Sequence, residues 1–141
     1  MAKKLQLRVI TPDEMKVDEP VDMVIMRCTT GDMGILPQRE PVSAVLDFGV
    51  LRIISNDEER WMAIYGGLAQ VQNDEVLILC HGAEWPEEID RHAVEHERAE
   101  AERRLKTAQD KAQHQKDQFD MRRALVQIEV SSYPLLGAGK K

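Results

Sequence analysis

The sequence is poor in aromatic residues, has fewer basic than acidic residues, and has no long apolar run. Two tryptophans, two tyrosines and two phenylalanines are too few and too dispersed to form a platform on which nucleic-acid bases stack. The net charge of -6 also argues against nucleic acid or an anionic membrane as the main partner. No segment approaches the roughly 18 apolar residues of a membrane-spanning helix, and the N-terminus does not resemble a signal or transit peptide.

Recognisable catalytic motifs are also scarce. The sequence has neither a G-x-x-x-x-G-K-[ST] phosphate loop nor a G-x-S-x-G nucleophile elbow. One segment spells H-x-x-E-H, so a zinc hydrolase using His92, Glu95 and His96 is an alternative. We disfavour it because the segment is highly charged and a catalytic zinc needs a third protein ligand in a closed cleft. We therefore expect no metal site, and a binding or regulatory module rather than an enzyme.

The two cysteines, Cys28 and Cys80, each end an apolar run. We interpret them as buried thiols of a protein in a reducing compartment. A disulfide remains an alternative if the strands that carry the two residues are neighbours.

Up to Pro86 the apolar residues follow a period of two or form short runs that end in turn-like residues. Leu5, Leu7 and Val9 share one face of the first run, which is typical of a half-buried strand. The spacing of the runs predicts about eight strands, so we assign residues 1–86 to an antiparallel β-sandwich or flattened barrel. Several of these runs are apolar on both faces, for example the one from Met23 to Met26, which predicts that one face needs cover from another element or a partner.

After Pro86 the composition changes to helix-compatible residues, which predicts an antiparallel two-helix hairpin over residues 87–133. The fold class is therefore α+β. We place the helix break near 113–117, where no large apolar residue occurs, and a flexible tail at 134–141. Two apolar stripes are predicted, and their members are Ile89, Ala93, Ala101, Leu105, Ala108 and Ala112 in the first and Met121, Leu125 and Ile128 in the second.

The first stripe is mostly alanine, so each contact hides little apolar area. We expect the hairpin to dock weakly, as a mobile regulatory arm would, and a plain stabilising hairpin is the alternative. The hairpin also carries two basic clusters, which are either a solvated face or a strip that docks on an acidic partner. Their members are Arg103, Arg104 and Lys106 in the first and Arg122 and Arg123 in the second.

The segment G-D-M-G-I-L-P-Q-R-E-P runs from Gly31 to Pro41, and we interpret Gly31 and Asp32 at its start as a turn. Its combination of glycines and prolines resembles a known signature. It is similar to G-E-L-G-I-L-P-G-H-A-P of the epsilon subunit of F-type ATP synthases. The segment Y-G-G-L-A-Q-V that begins at Tyr65 resembles that family's double-glycine hairpin, and residues 86–130 resemble its C-terminal helices. The resemblance covers nearly the whole chain.

The resemblance implies a non-catalytic rotor subunit that couples the gamma subunit to the membrane c-ring. It makes the glycine–proline segment a contact loop, in which glycines allow turns at positive φ and prolines stiffen the chain. Asp32 takes the family's acidic position, whereas Arg39 replaces the family's histidine, so a permanent cation stands where a titratable group would be. The expected contact residues are Gly31, Asp32, Gly34, Pro37, Arg39 and Pro41.

The resemblance also implies that the C-terminal helices can extend to the catalytic head and inhibit ATP hydrolysis. Arg103, Arg104, Arg122 and Arg123 are the expected contacts with the acidic beta subunits.

Some family members bind ATP through an I-D-x-x-R-A motif and arginines of the second helix. Ile89, Asp90 and Arg123 match that pattern, but Ala93 and Gln127 stand where arginines would. Because these two arginines of the ATP-binding pattern are missing, we expect no tight ATP binding and no cofactor.

The partners implied by the resemblance are the gamma subunit, the c-ring and the alpha/beta head, with no nucleic acid and no homo-oligomer. The implied location is peripheral, on the cytoplasmic face of a bacterial membrane or the stromal face of a thylakoid. The alternative function is a stand-alone adaptor that dimerises through its helices.

Overall fold

The computed structural model describes residues 3–107 and 111–137. Eight strands come first, followed by a single 3-10 turn and two helices. The strands are β1 (Leu5–Ile10), β2 (Met15–Val21), β3 (Met23–Cys28), β4 (Gly31–Ile35), β5 (Val42–Ser55), β6 (Glu58–Gln72), β7 (Glu75–Cys80) and β8 (Ala83–Glu84). The 3-10 turn spans Pro86–Glu88, and the helices are α1 (Arg91–Thr107) and α2 (Lys111–Gly137).

The strands form one sheet in the order β2-β1-β7-β6-β5-β3-β4, which folds over into a flattened sandwich, and β8 pairs with β6. The α+β class predicted from the sequence is confirmed, with one correction to the strand directions. β1 runs parallel to β7, with Leu7 opposite Val76 and Val9 opposite Ile78, whereas the other pairs are antiparallel. The N-terminal strand inserts between β2 and β7, and its direction is set by a partner nearly 70 residues away.

The long strands β5 and β6 change phase together halfway along their length. Core-facing positions include Leu46 before the change and Leu51 after it, five residues apart, so the strict alternation of a regular strand is broken. In β6 the change falls at Gly66 and Gly67, which have φ of 79° and 150°. These two values are readily adopted by glycine and rarely by other residues. The double glycine therefore lets two long strands line one core from end to end.

The core lies between the folded halves of the sheet, and both cysteines contribute to it. Cys28 and Cys80 are buried free thiols. They lie three strands apart on one cross-strand row, with Leu46 and Gly67 between them, so a disulfide is not formed. Burial raises the pKa of the Cys80 thiol to about 11, which keeps it protonated and unreactive at neutral pH.

The helical hairpin differs from its prediction at both the break and the tail. Residues 113–117, where the break was predicted, lie inside α2. The first helix, α1, ends at Thr107, and α2 begins at Lys111. Asp117 is buried and accepts hydrogen bonds from Arg104 of α1 at 3.2 Å and Gln113 at 3.1 Å, so a polar cluster fills the interface position. The tail predicted from Pro134 is helical as far as Gly137, and residues 138–141 lie outside the described residues.

The apolar stripes are also only partly as predicted. On α1, Val94 and Ala101 are buried whereas Ala93 is exposed; on α2, Val126 and Val130 are buried whereas Leu125 is 46% exposed. Of the remaining predicted members, Ala112 is exposed and Ala108 lies outside the described residues. The shift has a physical cause, since α2 packs on the sheet with one face and on α1 with another, and these two faces share its apolar residues.

α2 is the helix that rests on the sandwich, whereas α1 packs mainly on α2. Val126 and Val130 join Val50, Ala63 and Tyr65 in a small second core outside the main one. Burial of two valines contributes on the order of 3–5 kcal/mol. Neither described helix is both long and apolar enough to cross a membrane.

Candidate functional site

An apolar row crosses five strands on the outer surface of the sandwich. Its members, which we call the apolar row, are Met15, Ile10, Leu79, Leu68 and Val45, each opposite the next across neighbouring strands. Four of them are about half exposed, from 48% for Leu79 to 58% for Leu68. Nothing in the described part of the chain covers them. A contiguous exposed row of this kind is typical of a protein-binding surface.

A polar row borders the apolar row on the same face. Two residues further along each strand, Ser43 of β5, Gln70 of β6, Leu77 of β7 and Arg8 of β1 lie opposite one another in turn, and Leu77 is half-buried. Arg8 is held by carboxylates of Asp18 at 3.2 Å and Glu75 at 3.0 Å. An apolar centre with a polar rim is the usual anatomy of a protein interface.

The run from Met23 to Met26, the example of a strand with two apolar faces in the sequence, lies outside the apolar row. In β3, Val24 and Met26 enter the core, and Met23 and Ile25 are half-buried. The apolar row could not be found from sequence because its members come from five separate segments.

The glycine–proline segment is an edge strand followed by a loop. Gly31 and Asp32 were interpreted as a turn, but the turn is at Thr29–Thr30, and residues 31–35 form β4 at the end of the sheet. The positive φ of 124° at Gly31 explains the glycine there. Gly34 has no such backbone, and a Cβ there would lie 2.9 Å from Cε of Met23, the end of a flexible side chain that can move aside.

The expected contact residues do not form one cluster. Asp32 is exposed near the β3–β4 turn, whereas Arg39 lies beyond the other end of β4, in the loop 36–41, which we call the proline loop. Gly34 lies between them in β4, and the exposed side chain of Leu36 begins the loop. The six residues are therefore strung along one edge of the sandwich.

The proline loop is anchored from outside by the turn between β6 and β7. The backbone N–H of Gln38, which has a positive φ of 69°, donates to Oδ1 of Asp74 at 2.5 Å. The backbone carbonyl of the same Asp74 accepts from the N–H of Gln6 at 2.9 Å, which ties the anchor to β1. The loop is thus stiffened by Asp74 as well as by Pro37 and Pro41, and the sequence reasoning missed this third support.

We expect Asp74→Ala to loosen the proline loop while the sheet stays folded. Loss of one charge-assisted hydrogen bond should speed hydrogen exchange at the Gln38 amide roughly tenfold. The matched control is Asp57→Ala, because Asp57 has a similar positive φ in the β5–β6 turn and so imposes the same backbone strain. Equal exchange rates at Gln38 in both variants would show that Asp74 does not hold the loop.

Arg27 links the β4 edge to the helical arm. Its guanidinium lies 3.7 Å from Asp32 and donates two hydrogen bonds of 3.3 Å to the carboxylate of Glu129 in α2. The aliphatic stem crosses β5 at Gly49, where a Cβ would lie 2.8 Å from Cβ of Arg27. The absence of a side chain at Gly49 therefore allows Arg27 to cross β5 and reach α2.

The four arginines expected to inhibit hydrolysis differ in their surroundings. Arg103 is 72% exposed and lies 3.9 Å from Glu100 of its own helix. Arg104 holds the hairpin together through buried Asp117 and, at 3.6 Å, Asp120.

The other two contact the sandwich. Arg122 pairs with Asp47 and lies over the ring of Phe48, and Arg123 lies over the ring of Tyr65. Arg104, Arg122 and Arg123 thus contact another element of the chain, and Arg103 pairs with Glu100 of its own helix. The contacts that Asp47, Phe48 and Tyr65 make with the arm could not be inferred from the sequence.

The residues that match the ATP-binding pattern have structural roles here. Asp90 caps α1 by accepting a hydrogen bond from the N–H of Ala93 at 3.2 Å, and Ile89 packs on the second core. Gln127, which replaces an arginine, donates to Glu84 at 2.7 Å. An open cleft of about 340 Å³ lies nearby between sandwich and hairpin. Its charged lining residues are Asp13, Glu14, Glu84, Glu88, Lys16 and Arg123, an excess of carboxylates that disfavours a polyphosphate.

The H-x-x-E-H segment has all three of its candidate zinc ligands, His92, Glu95 and His96, exposed on α1. Glu95 pairs with Arg91 at 3.3 Å. Within residues 3–107 and 111–137, no three His, Cys, Asp or Glu side chains converge as a metal site would require.

These surfaces define an interaction module: an open apolar row, a stiff loop along one edge, and a helical arm docked on the remaining outer surface. Comparison with known proteins identifies the module. Residues 4–86 match the family described as ATP synthase, Delta/Epsilon chain, beta-sandwich domain. The chain is 40% identical to the ATP synthase epsilon chain of Alkaliphilus metalliredigens over 105 residues, which cover 74% of this chain and 78% of that one.

Two further comparisons extend over more of the chain. It is 35% identical to the chloroplastic ATP synthase epsilon chain of Citrus sinensis over 126 residues, which cover 89% of this chain and 95% of that one. A chain in the structure of the Euglena gracilis mitochondrial ATP synthase, titled OSCP/F1/c-ring, superposes with a TM-score of 0.79 at 25% identity, covering 92% of this chain and 81% of that one. The chain belongs to the family of ATP synthase epsilon chains, whose members are non-catalytic subunits. The stand-alone adaptor finds no support in these comparisons.

Proposed function

We propose that this chain is the rotor subunit of its ATP synthase that couples the gamma subunit to the c-ring and restrains ATP hydrolysis through its helical arm. The observation that carries the proposal is the division of the outer surface into separate binding regions on one rigid sandwich. As an epsilon chain it is part of F1 and peripheral to the membrane complex. Within the cell, the location that we propose is the cytoplasmic face of a bacterial membrane, or the stromal face of a thylakoid if the gene is plastid-encoded.

The apolar row is the surface we assign to gamma. Side chains from five strands are held in register by the sheet, so little conformational entropy is lost when a partner covers them. The adjacent polar row supplies hydrogen-bonding groups at the rim.

The β4 edge and the proline loop are the regions we assign to the c-ring. Gly31, Asp32 and Gly34 contribute the strand part, and Pro37, Arg39 and Pro41 contribute the loop part. Arg39 is exposed in a loop that Asp74 anchors, so it offers a fixed positive charge to an acidic or polar partner loop.

The helical arm is the region we assign to inhibition, through Arg103, Arg104, Arg122 and Arg123 in an extended conformation against the beta subunits. The docked conformation is held by a small second core and a few ion pairs, so release of the arm is within reach of a partner's binding energy. We infer no tight ATP binding by the arm, because Gln127 and Ala93 replace charged residues and the adjacent cleft is acidic.

The experiment that tests the proposal measures ATP hydrolysis by a catalytic head that lacks this subunit. Full-length chain or residues 1–86 is added, and binding of each to gamma is measured in parallel. We expect both to bind gamma and only the full-length chain to slow hydrolysis. Loss of gamma binding on truncation would contradict the assignment of the apolar row. Unchanged hydrolysis with both would contradict the inhibitory arm.

Truncation has a structural side effect that needs its own check. It uncovers Val50, Ala63 and Tyr65, which α2 normally covers. Circular dichroism of the truncated chain should therefore show an intact sheet before its binding is interpreted.

A further inference from the structure

Two consecutive arginines of α2 lie over two aromatic rings of the sandwich. Cζ of Arg122 is 4.7 Å from the ring centroid of Phe48, and Cζ of Arg123 is 5.3 Å from that of Tyr65. Phe48 and Tyr65 are direct cross-strand partners in β5 and β6. The sheet register therefore sets the spacing of the rings to match two neighbouring residues of one helix. Guanidinium groups over aromatic faces at these distances are attracted by the ring quadrupole.

The two rings are held in place by further contacts. Tyr65 is 4% exposed, and its hydroxyl donates to the carboxylate of Glu84. Burial, together with the hydrogen bond and the charge of Glu84, raises the pKa of Tyr65, so the phenol remains a neutral donor. Phe48 packs edge-to-face on Phe119 of α2, with centroids 5.0 Å apart.

The surroundings of the rings are also complementary to the arm in charge. Asp47, next to Phe48, pairs with Arg122, and Glu84 accepts a hydrogen bond from Gln127 of α2 at 2.7 Å. We call Asp47, Phe48, Tyr65 and Glu84 the arginine receptor. Each guanidinium thus meets an aromatic face, and each ring has a carboxylate beside it.

We propose that the arginine receptor is an internal competitor for the catalytic head: it binds the same Arg122 and Arg123 that the arm needs for inhibition. This proposal rests on the proposed function, and it adds what holds the arm back. A guanidinium over Phe48 and paired with Asp47 cannot at the same time face an acidic segment of another subunit. Docking and inhibition are then mutually exclusive, and a weaker receptor should produce a stronger inhibitor.

The first test uses the full-length chain alone and measures hydrogen exchange of the amides from Leu125 to Val130. Asp47→Asn removes the charge and nearly keeps the shape, and Phe48→Leu removes the ring. We expect exchange in this segment to become roughly tenfold faster in either variant, within the range typical of coupling between sites. Asp57→Asn, at an exposed carboxylate in the β5–β6 turn, is the matched control.

The same measurement separates the receptor from a general effect of charge. Arg122→Gln and Arg103→Gln each remove one arginine from the arm, but Arg103 is 72% exposed and lies beside Glu100 of its own helix. Only Arg122→Gln should speed exchange in α2. Unchanged exchange in Asp47→Asn, Phe48→Leu and Arg122→Gln would overturn the receptor.

The second test adds the same chains to a catalytic head and measures ATP hydrolysis. Asp47→Asn and Phe48→Leu keep all four arginines, so they should inhibit more strongly than the unaltered chain, by a factor similar to the change in exchange. If the unaltered chain inhibits and these variants inhibit no more strongly, competition is overturned while the proposed function stands. If no variant inhibits, the proposed inhibitory arm fails, whereas the exchange experiment still decides whether the receptor holds α2.

Discussion

Gly67→Ala is expected to abolish the native fold or to destabilise it by more than about 4 kcal/mol, a large fraction of the stability of a typical domain. Gly67 has a φ of 150°, and a Cβ there would overlap the carbonyl oxygen of Leu79 and lie 2.6 Å from Cα of Cys80. Both atoms belong to the backbone of β7, which cannot rotate away as a side chain could. The clash also falls where β6 pairs with β5 and β7 at once. Chemical denaturation followed by circular dichroism measures the loss.

Gly31→Ala separates the clash from backbone strain. Gly31 also has a positive φ, 124°, but a Cβ there would meet no atom within 4 Å. Strain alone should cost about 1–3 kcal/mol. If Gly67→Ala and Gly31→Ala unfold at the same denaturant concentration, the contact between β6 and β7 is looser than we describe.

Features that depend on local pattern were predictable from the sequence. The period of two up to Pro86 and the helix-compatible composition after it reflect which side chains face a core, and the structure has strands and helices in those regions. The double glycine was noticed as a motif, but its role was not, because the phase change at Gly67 depends on how β5 and β7 approach β6.

Features that depend on distant pairing were not predictable. The parallel pairing of β1 with β7 and the burial of Asp117 against Arg104 each involve a partner that no local pattern names. The helix break was misplaced for the same reason, since a segment without large apolar residues was assumed to lie outside any interface.

The same distinction between local pattern and distant pairing applies to the candidate site. The glycine–proline segment was recognisable from the sequence. The hydrogen bond by which Asp74 holds its loop and the packing of Arg27 across Gly49 were not. The apolar row was also hidden, because one residue from each of five strands leaves no run in the sequence.

Leu68→Glu is expected to weaken binding to gamma by at least about 30-fold and to leave the fold intact. Leu68 is the most exposed member of the apolar row and lies between Val45 and Leu79. A carboxylate there meets water in the free chain, so the stability should change by less than about 1 kcal/mol. In the complex it would be buried without a partner, which costs about 2–5 kcal/mol. Isothermal titration calorimetry with the gamma subunit of the same synthase measures the change.

The matched control for this variant is Leu125→Glu, which introduces the same charge at a leucine of similar exposure, 46%, on α2. It should bind gamma as the unaltered chain does, because the helical arm does not contribute to the apolar row. Equal affinity of Leu68→Glu and the unaltered chain would show that gamma binds elsewhere on the sandwich.

Arg39→Ala then distinguishes the two partner surfaces: if the proline loop faces the c-ring, this variant keeps its affinity for isolated gamma and loses retention on the assembled ring. If one surface of the sandwich bound both partners instead, Arg39→Ala would lower the affinity for gamma and the retention on the ring together.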